Sequence, residues 1–190
     1  MSSPQSYAPS AARGASVKKE GEKWTLVLVR ELAHPPAKVW TALTDPQNLR
    51  EWAPFDSDQN LGTTGTTATL TTVGAPQPHV TETTVKRADP PKLLEFSWGG
   101  QDIRWELEPL TSGGTRLTLW HNIAHNFIAM GAAGWHLCLD VLDRALDGHP
   151  IGRTVGPDAM KVDGWQRLLG EYGALLGVEP PRWNPGTGAQ

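Results

Sequence analysis

The sequence has almost no cysteine: its single thiol, Cys138, excludes an internal disulfide bond. A lone cysteine fits a reducing compartment, so we expect a cytoplasmic location. No apolar run approaches the ~20 residues that cross a bilayer. The first residues also lack the apolar core of a secretory signal. These absences predict a cytoplasmic protein with no transmembrane helix.

An excess of positive charge is also missing. The formal net charge is -3, which argues against nucleic acid as a partner. Apolar residues make up 38% of the chain and charged residues 19%, a balance typical of folded proteins rather than disordered ones. The length of 190 residues fits one domain with additions at its ends.

Tryptophan is the residue in excess: the chain has nine, against two tyrosines and three phenylalanines. Each indole buries a large area and carries one N–H group that needs an acceptor. Nine of them predict either large core side chains that pack on one another or a wide aromatic cavity. Composition leaves both interpretations open.

The stretch from Val29 to Trp52 is the most patterned part of the chain. Alternating apolar residues over 24–32 predict a strand that is covered on both faces. The pair Pro35-Pro36 then opens a helix, because proline lacks the N–H that the first helical turn leaves unpaired. Asp45-Pro46 ends this helix and begins a second, shorter one.

Strands and turns dominate the middle of the chain. Turn signals rich in glycine and proline separate five predicted strands, at about 66–73, 79–88, 92–98, 101–109 and 115–123. Three of these strands alternate between an apolar and a charged face, so we expect the sheet to be covered on one side only. A long helix over 127–146, with an apolar stripe, supplies that cover.

The order of elements predicts an α+β fold: a six-stranded curved antiparallel sheet wrapped around a long C-terminal helix, with two short helices after strand 1. The predicted parts are a disordered tail over 1–22, the domain over 23–148, a helical extension over 149–178 and an irregular tail over 179–190. A stripe over 165–176 either packs on its own domain or forms an interface, so both a monomer and a homodimer remain open.

Several separated segments carry a resemblance to a known family. They are Arg30, the PP-x-x-VW-x-AL-T-DP run from Pro35 to Pro46, Leu49-x-x-Trp52, Asp89-Pro90-Pro91-x-Leu93, Phe96-x-Trp98, Thr115 to Leu119 with His121, and Gly134-Trp135 with Cys138 to Leu142. In this order they resemble the START-like helix-grip superfamily, also called SRPBCC or Bet v 1-like. Within it, the sequence is most similar to small prokaryotic proteins related to the C-terminal domain of the Hsp90 ATPase activator Aha1. The resemblance covers residues 24–148; a separate N-terminal domain, which the eukaryotic co-chaperone carries, has no counterpart in it.

The resemblance implies a cavity between the sheet and the long helix. Such sites are mostly apolar, with a few polar groups that orient the ligand. The candidate ligand-binding residues are Leu70, Thr81, Thr83, Phe96, Trp98, Ile103, Trp105, Leu119, His121, Trp135 and Leu139. Thr81, Thr83 and His121 would be the orienting groups. The alternative is a filled core in which the tryptophans meet in the middle.

Three polar residues invite catalytic or metal interpretations. His121 lies on the apolar face of its strand, where it would be either a weak general-base candidate or a structural histidine. His121 and His125 have the spacing of a helical metal pair, but they fall where a strand ends and no further ligand accompanies them. Cys138 is flanked by leucines and is predicted to be buried and inert. We therefore expect no metal and no cofactor.

Three functions remain open, because this fold hosts many activities. The first is binding of a small, largely apolar molecule, lipid-like or aromatic, in the cavity. The second is a chaperone-related role in the stress response, through an Aha1-like interaction with an Hsp90-type chaperone. The third is an enzyme of the cyclase, dehydratase or hydrolase type that uses the same cavity; this requires an internal acid–base pair, which His121 alone does not supply.

Overall fold

A computed structural model describes residues 7–179 of the chain. Its strands are β1 (Ala15–Glu20), β2 (Lys23–Leu32), β3 (Phe55–Ser57), β4 (Thr67–Thr72), β5 (His79–Thr84), β6 (Arg87–Asp89), β7 (Leu93–Trp98), β8 (Gln101–Pro109) and β9 (Thr115–Asn122). Its helices are α1 (Pro36–Thr44), α2 (Pro46–Trp52), α3 (Ile128–Leu146), α4 (Pro157–Met160) and α5 (Trp165–Leu176), and a short 3-10 helix, His125–Phe127, precedes α3.

The main sheet has six antiparallel strands in the order β1-β2-β9-β8-β7-β6. A smaller sheet contains β3, β4 and β5. The α+β class, the six-stranded sheet, the long C-terminal helix and the two short helices are confirmed. Membership of the main sheet differs from the prediction, because the strand near 66–73 pairs with β3 and the strand near 79–84 pairs with β4, and the three form the smaller sheet.

Residues 1–22 are predicted to be a disordered tail, but their described part contains β1. This strand pairs with β2 from Ala15 opposite Leu28 to Glu20 opposite Lys23. The connecting turn uses Gly21 at a φ of +62°, a conformation that glycine adopts without strain. Backbone pairing holds this edge strand, and its charged, exposed side chains give no apolar periodicity to detect. Residues 1–6, and the predicted irregular tail beyond residue 179, lie outside the described residues.

Helices α1 and α2 follow from local chemistry. Pro36 and Pro46 occupy the first turns, and the Asp45 carboxylate accepts hydrogen bonds from the backbone N–H groups of Gln47 and Asn48. Trp52 is buried and its indole N–H donates to the carbonyl of Ala42 at 3.0 Å. The two helices are thereby locked together.

Helix α3 covers the apolar face of the main sheet, and most of its residues are buried. Helix α5 packs against α3 and β1, with Trp165, Leu168 and Tyr172 buried. The amphipathic stripe over 165–176 therefore faces its own domain. Within residues 7–179 no helix combines the length and hydrophobicity needed to cross a membrane.

Candidate functional site

A cavity of about 330 Å³ lies between the start of α3, one end of the main sheet and the segment that joins α3 to α5. The sheet and the chain before it contribute Pro54, Trp98, Gln101, His121 and Ile123. The 3-10 helix and α3 contribute Phe127, Met130, Gly131, Gly134, Trp135 and Cys138. The joining segment and α5 contribute Thr154, Val155, Gly156, Ala159, Met160 and Trp165. The walls are thus largely apolar.

Three tryptophans fill the interior beside this cavity. Trp135 meets Trp98 and Trp105 edge to face, with ring centroids 6.0 and 5.6 Å apart. This arrangement suits the charge distribution of aromatic rings. The two sequence-based alternatives both hold in part: the tryptophans meet in the middle, and open space remains toward one end.

The cavity gathers only some of the predicted ligand-binding residues. Trp98, His121 and Trp135 line it. Six others are buried in the packed core away from its walls: Leu70, Phe96, Ile103, Trp105, Leu119 and Leu139. Thr81 and Thr83 lie on β5 in the smaller sheet, where the Thr83 hydroxyl pairs with Ser97 at 3.1 Å.

Sequence reasoning missed the wall made by the joining segment and the first turns of α3. Gly131 and Gly134 were visible as glycines in a helix, where each costs about 1 kcal/mol relative to alanine. A glycine that is kept despite this cost indicates either that a neighbouring side chain packs close to the helix backbone or that the position faces open space. A Cβ on Gly131 would lie 2.6 Å from Ile123 Cδ1, whereas one on Gly134 would meet nothing within 4 Å among the described atoms.

His121 is the polar group of the site whose state the contacts define best. Its Nδ1 accepts a hydrogen bond from the Trp135 indole N–H at 3.0 Å, so the ring proton lies on Nε2. The Trp98 ring stacks on the His121 ring, with the ring centroids 5.9 Å apart and an angle of 28° between the ring planes. Burial lowers the pKa of His121 to about 4, and the imidazole is neutral near pH 7.

The Nε2 atom of His121 is buried and has no hydrogen-bond partner within the described part of the chain. A buried donor left unpaired costs about 1–3 kcal/mol. Because Nδ1 is already engaged and Nε2 carries the proton, this imidazole offers a hydrogen bond rather than a basic nitrogen. It is therefore arranged to donate to an acceptor and not to remove a proton.

Cys138 also lines the cavity, and burial raises the pKa of its thiol to about 12. A thiol in that state carries negligible thiolate near neutral pH and is a poor nucleophile. Cys138 thus contributes a small, soft apolar surface. This agrees with the prediction of a buried, inert cysteine.

The mouth of the cavity has an apolar rim. Phe127 and Met160 line the cavity and remain about half exposed, at 49% and 51%. They belong to different walls, the 3-10 helix and α4. Large exposed apolar side chains at a cleft are typical of binding sites.

The segment that forms the outer wall is attached at two points. Gly156 lies against Gly74 so closely that a Cβ on Gly156 would be 2.7 Å from the Gly74 carbonyl oxygen. Earlier in the same segment, the Arg153 guanidinium donates to Asp56 at 2.6 Å and to the Leu49 carbonyl at 3.0 Å. These contacts place the wall across the end of the sheet.

The sheet, the long covering helix and the apolar cavity between them define a helix-grip protein. The chain belongs to the family described as activator of Hsp90 ATPase homolog 1-like proteins, whose model matches residues 33–147. This confirms the resemblance found in the sequence. Membership is consistent with ligand binding or a co-chaperone-like role and specifies neither.

Solved structures share the fold at low sequence identity. A conserved protein of unknown function from Enterococcus faecalis is 18% identical, with a TM-score of 0.63 over 87% of this chain and 92% of its own. CalU16 from Micromonospora echinospora is 20% identical, with a TM-score of 0.60 over 85% and 94%. A protein from Staphylococcus saprophyticus is 20% identical, with a TM-score of 0.57 over 69% and 98%. A comparison with curated proteins gave no match.

Proposed function

We propose that the protein binds a small, largely apolar molecule with one hydrogen-bond acceptor, such as an aromatic or long-chain ketone, in the cavity beside α3. The proposal rests on His121, which lies in the wall of an apolar cavity. Its buried Nε2–H has no hydrogen-bond partner among residues 7–179. A small turn of the His121 ring would bring that donor to a ligand carbonyl, while Trp98, Trp135 and the residues of the mouth would cover the apolar surface of the ligand.

The cavity volume of about 330 Å³ supports a ligand of modest size. It lies at the lower end of the range of about 300–1,000 Å³ that is usual for small-molecule sites. Binding would draw its free energy from apolar burial at about 25 cal/mol per Å². The hydrogen bond would add about 0.5–1.5 kcal/mol and fix the orientation.

The test is a titration with a matched pair, benzophenone and diphenylmethane, followed by the fluorescence of the tryptophans in the cavity wall. We expect both to bind and the ketone to bind about two- to tenfold more tightly, the ratio that one neutral hydrogen bond supplies. His121→Phe should remove the preference for the ketone while retaining binding of the hydrocarbon. No saturable change with either compound would refute the proposal.

A second variant fills the cavity without disturbing its walls. Gly134→Leu places a side chain where a Cβ meets open space, so ligand binding should weaken at least about tenfold. Helix α3 should be as stable as before or gain up to about 1 kcal/mol, because leucine is the better helix former. Gly170→Leu is the matched control: it lies on α5, outside the cavity, and its Cβ also meets nothing within 4 Å of the described atoms.

Family membership favours a second candidate, an Aha1-like interaction with an Hsp90-type chaperone. It is supported by the family description and not by any surface feature of the fold. The discriminating assay measures the ATPase rate of a bacterial Hsp90 with added protein. Stimulation that persists in Gly134→Leu would favour this candidate over ligand binding, and a flat response would dismiss it.

A further inference from the structure

A second cluster of polar side chains lies at the opposite end of α3. His34 sits in the loop between β2 and α1, and Asp143 and Asp147 are four residues apart at the end of α3. One nitrogen and one oxygen from each carboxylate, all possible metal ligands, lie within 4.8 Å of one another. The closest pair is His34 Nε2 and Asp147 Oδ1, at 2.7 Å.

The backbone holds this cluster in place. The Thr115 hydroxyl on β9 donates to the His34 carbonyl at 2.7 Å, which fixes the loop against the main sheet. Asp143 and Asp147 are on one face of α3 because side chains four residues apart lie above one another on a helix. A histidine of the loop before α1 thus meets two carboxylates at the end of α3, more than a hundred residues further along the chain.

The charge of the cluster favours a cation. The cations beside the two carboxylates are Lys38, whose Nζ lies 3.3 Å from His34 Nδ1 and 2.6 Å from the Leu146 carbonyl, and Arg13, which acts electrostatically on Asp143. The C-terminal end of the 19-residue helix α3 adds its own partial negative charge at the same place. Lys38 and Arg13 offset the two carboxylates, and the negative end of the helix is left to favour a further cation.

We propose that His34, Asp143 and Asp147 bind a divalent transition-metal ion of the zinc class. One imidazole nitrogen and two carboxylate oxygens form a donor set suited to Zn²⁺ and Co²⁺. Three protein ligands leave at least one position for water. Neutral His34 would bind the ion through Nε2 with its proton on Nδ1, so the Lys38 ammonium beside Nδ1 would turn away, and the exposed Asp147 side chain would move from Nε2 toward the ion.

Such an ion would join the loop before α1 to the end of α3. An ion that binds the folded chain and not the unfolded one raises the stability by mass action. Its effect would be independent of the cavity, which lies at the other end of the helix. The two proposals therefore succeed or fail separately.

The test uses the full-length protein without a histidine tag, titrated with Zn²⁺ by calorimetry and with Co²⁺ by visible absorption. We expect saturable binding of one ion and a higher Tm in Zn²⁺ than in excess chelator. His34→Gln and Asp147→Asn should each weaken binding at least about tenfold. His79→Gln, an exposed histidine on β5, is the matched control and should bind like the parent.

Lys38 supplies a test of opposite sign. Lys38→Gln removes the ammonium beside His34, so the same titration should give tighter Zn²⁺ binding. Absence of saturable binding below about 1 mM in the parent would overturn the proposal. Binding that is equally strong in His34→Gln and Asp147→Asn would overturn it as well, and folding of each variant is checked by its unfolding transition in chelator.

Discussion

At the scale of the residue, His121 is a titratable group whose charged form is disfavoured in the folded protein. Its ring is buried among Trp98, Trp135 and apolar neighbours, and its Nδ1 is committed to the Trp135 indole. Protonation would put an N–H opposite another N–H donor in a buried position. Burial alone accounts for the fall of its pKa to about 4.

The first prediction concerns pH. In the unfolded chain His121 titrates near pH 6.5, so between about pH 6.5 and pH 4 the unfolded state binds a proton that the folded state does not. The free energy of unfolding should therefore fall as the pH is lowered through this window. The full effect of this group below pH 4 is about 3 kcal/mol, at 1.36 kcal/mol per pKa unit.

His121→Gln is the informative variant, since glutamine does not titrate in this range. Urea unfolding at pH 7, 6 and 5 should show a shallower loss of stability for the variant than for the parent. His125→Gln, which replaces an exposed histidine four residues further along the chain, is the matched control variant. Parallel curves for the parent and His121→Gln would contradict the low pKa.

At the scale of the element, α5 is held by a buried polar network as well as by apolar packing. The Tyr172 hydroxyl lies 3.0 Å from Arg30 Nη2 on β2 and 2.8 Å from His136 Nδ1 on α3. His136 Nε2 in turn faces Asp140 at 3.3 Å. Arg30, His136 and Tyr172 are all at most 5% exposed, so the network is screened very little.

The second prediction is that Tyr172→Phe destabilises the protein while leaving its volume almost unchanged. The loss of one hydroxyl removes its hydrogen bonds to Arg30 and to His136, each worth about 0.5–1.5 kcal/mol, and leaves Arg30 Nη2 paired with His136 Nδ1 at 3.1 Å. Chemical denaturation measures the difference. Leu175→Ala, on the exposed side of α5, should change stability by less than about 0.5 kcal/mol. An effect no larger than this control would show that the network contributes little.

At the scale of the whole molecule, the cavity exists because a segment after α3 returns to the end of the sheet. Arg153 attaches that segment to Asp56 and to the Leu49 carbonyl within α2, and the arginine side chain of this ion pair is largely buried. Gly74 and Gly156 let the two backbones approach. Closure of the site thus depends on contacts between residues that are far apart in the sequence.

The third prediction follows from that attachment. Arg153→Gln should loosen the outer wall, weaken benzophenone binding and speed cleavage of the segment by a nonspecific protease. Lys161→Gln is the matched control, because it removes an ion pair from the same segment that is exposed on both sides. Equal protease sensitivity and equal binding in the two variants would show that the Arg153 contacts do not close the site.

The fold was predictable where local chemistry decides it. Pro36, Asp45 and Pro46 mark the bounds of α1 and α2 through local chemistry, and the long apolar stripe defines α3. Strand β1 was missed because backbone hydrogen bonds hold it in place. Its side chains are largely exposed and charged, so the sequence shows no alternation of apolar residues that would predict a strand.

The candidate sites were harder to predict, because each depends on chain segments that meet only after folding. Alternation along β9 placed His121 inside, but the acceptor role of its Nδ1 depends on Trp135 from another element. The spacing of Asp143 and Asp147 was visible in the sequence. Nothing in it pointed to His34, over a hundred residues away, as their neighbour.

The Arg30 network also has a consequence for synthesis on the ribosome. Arg30 emerges from the exit tunnel early, whereas the Tyr172 hydroxyl that it contacts is made after every strand and after α3. A nascent chain halted before α5 would hold a guanidinium and an imidazole inside an incompletely closed core. The contact between Arg30 and Tyr172 can therefore form only after every described strand and α3 have been made, and a chaperone that meets the chain before then would meet Arg30 without this partner.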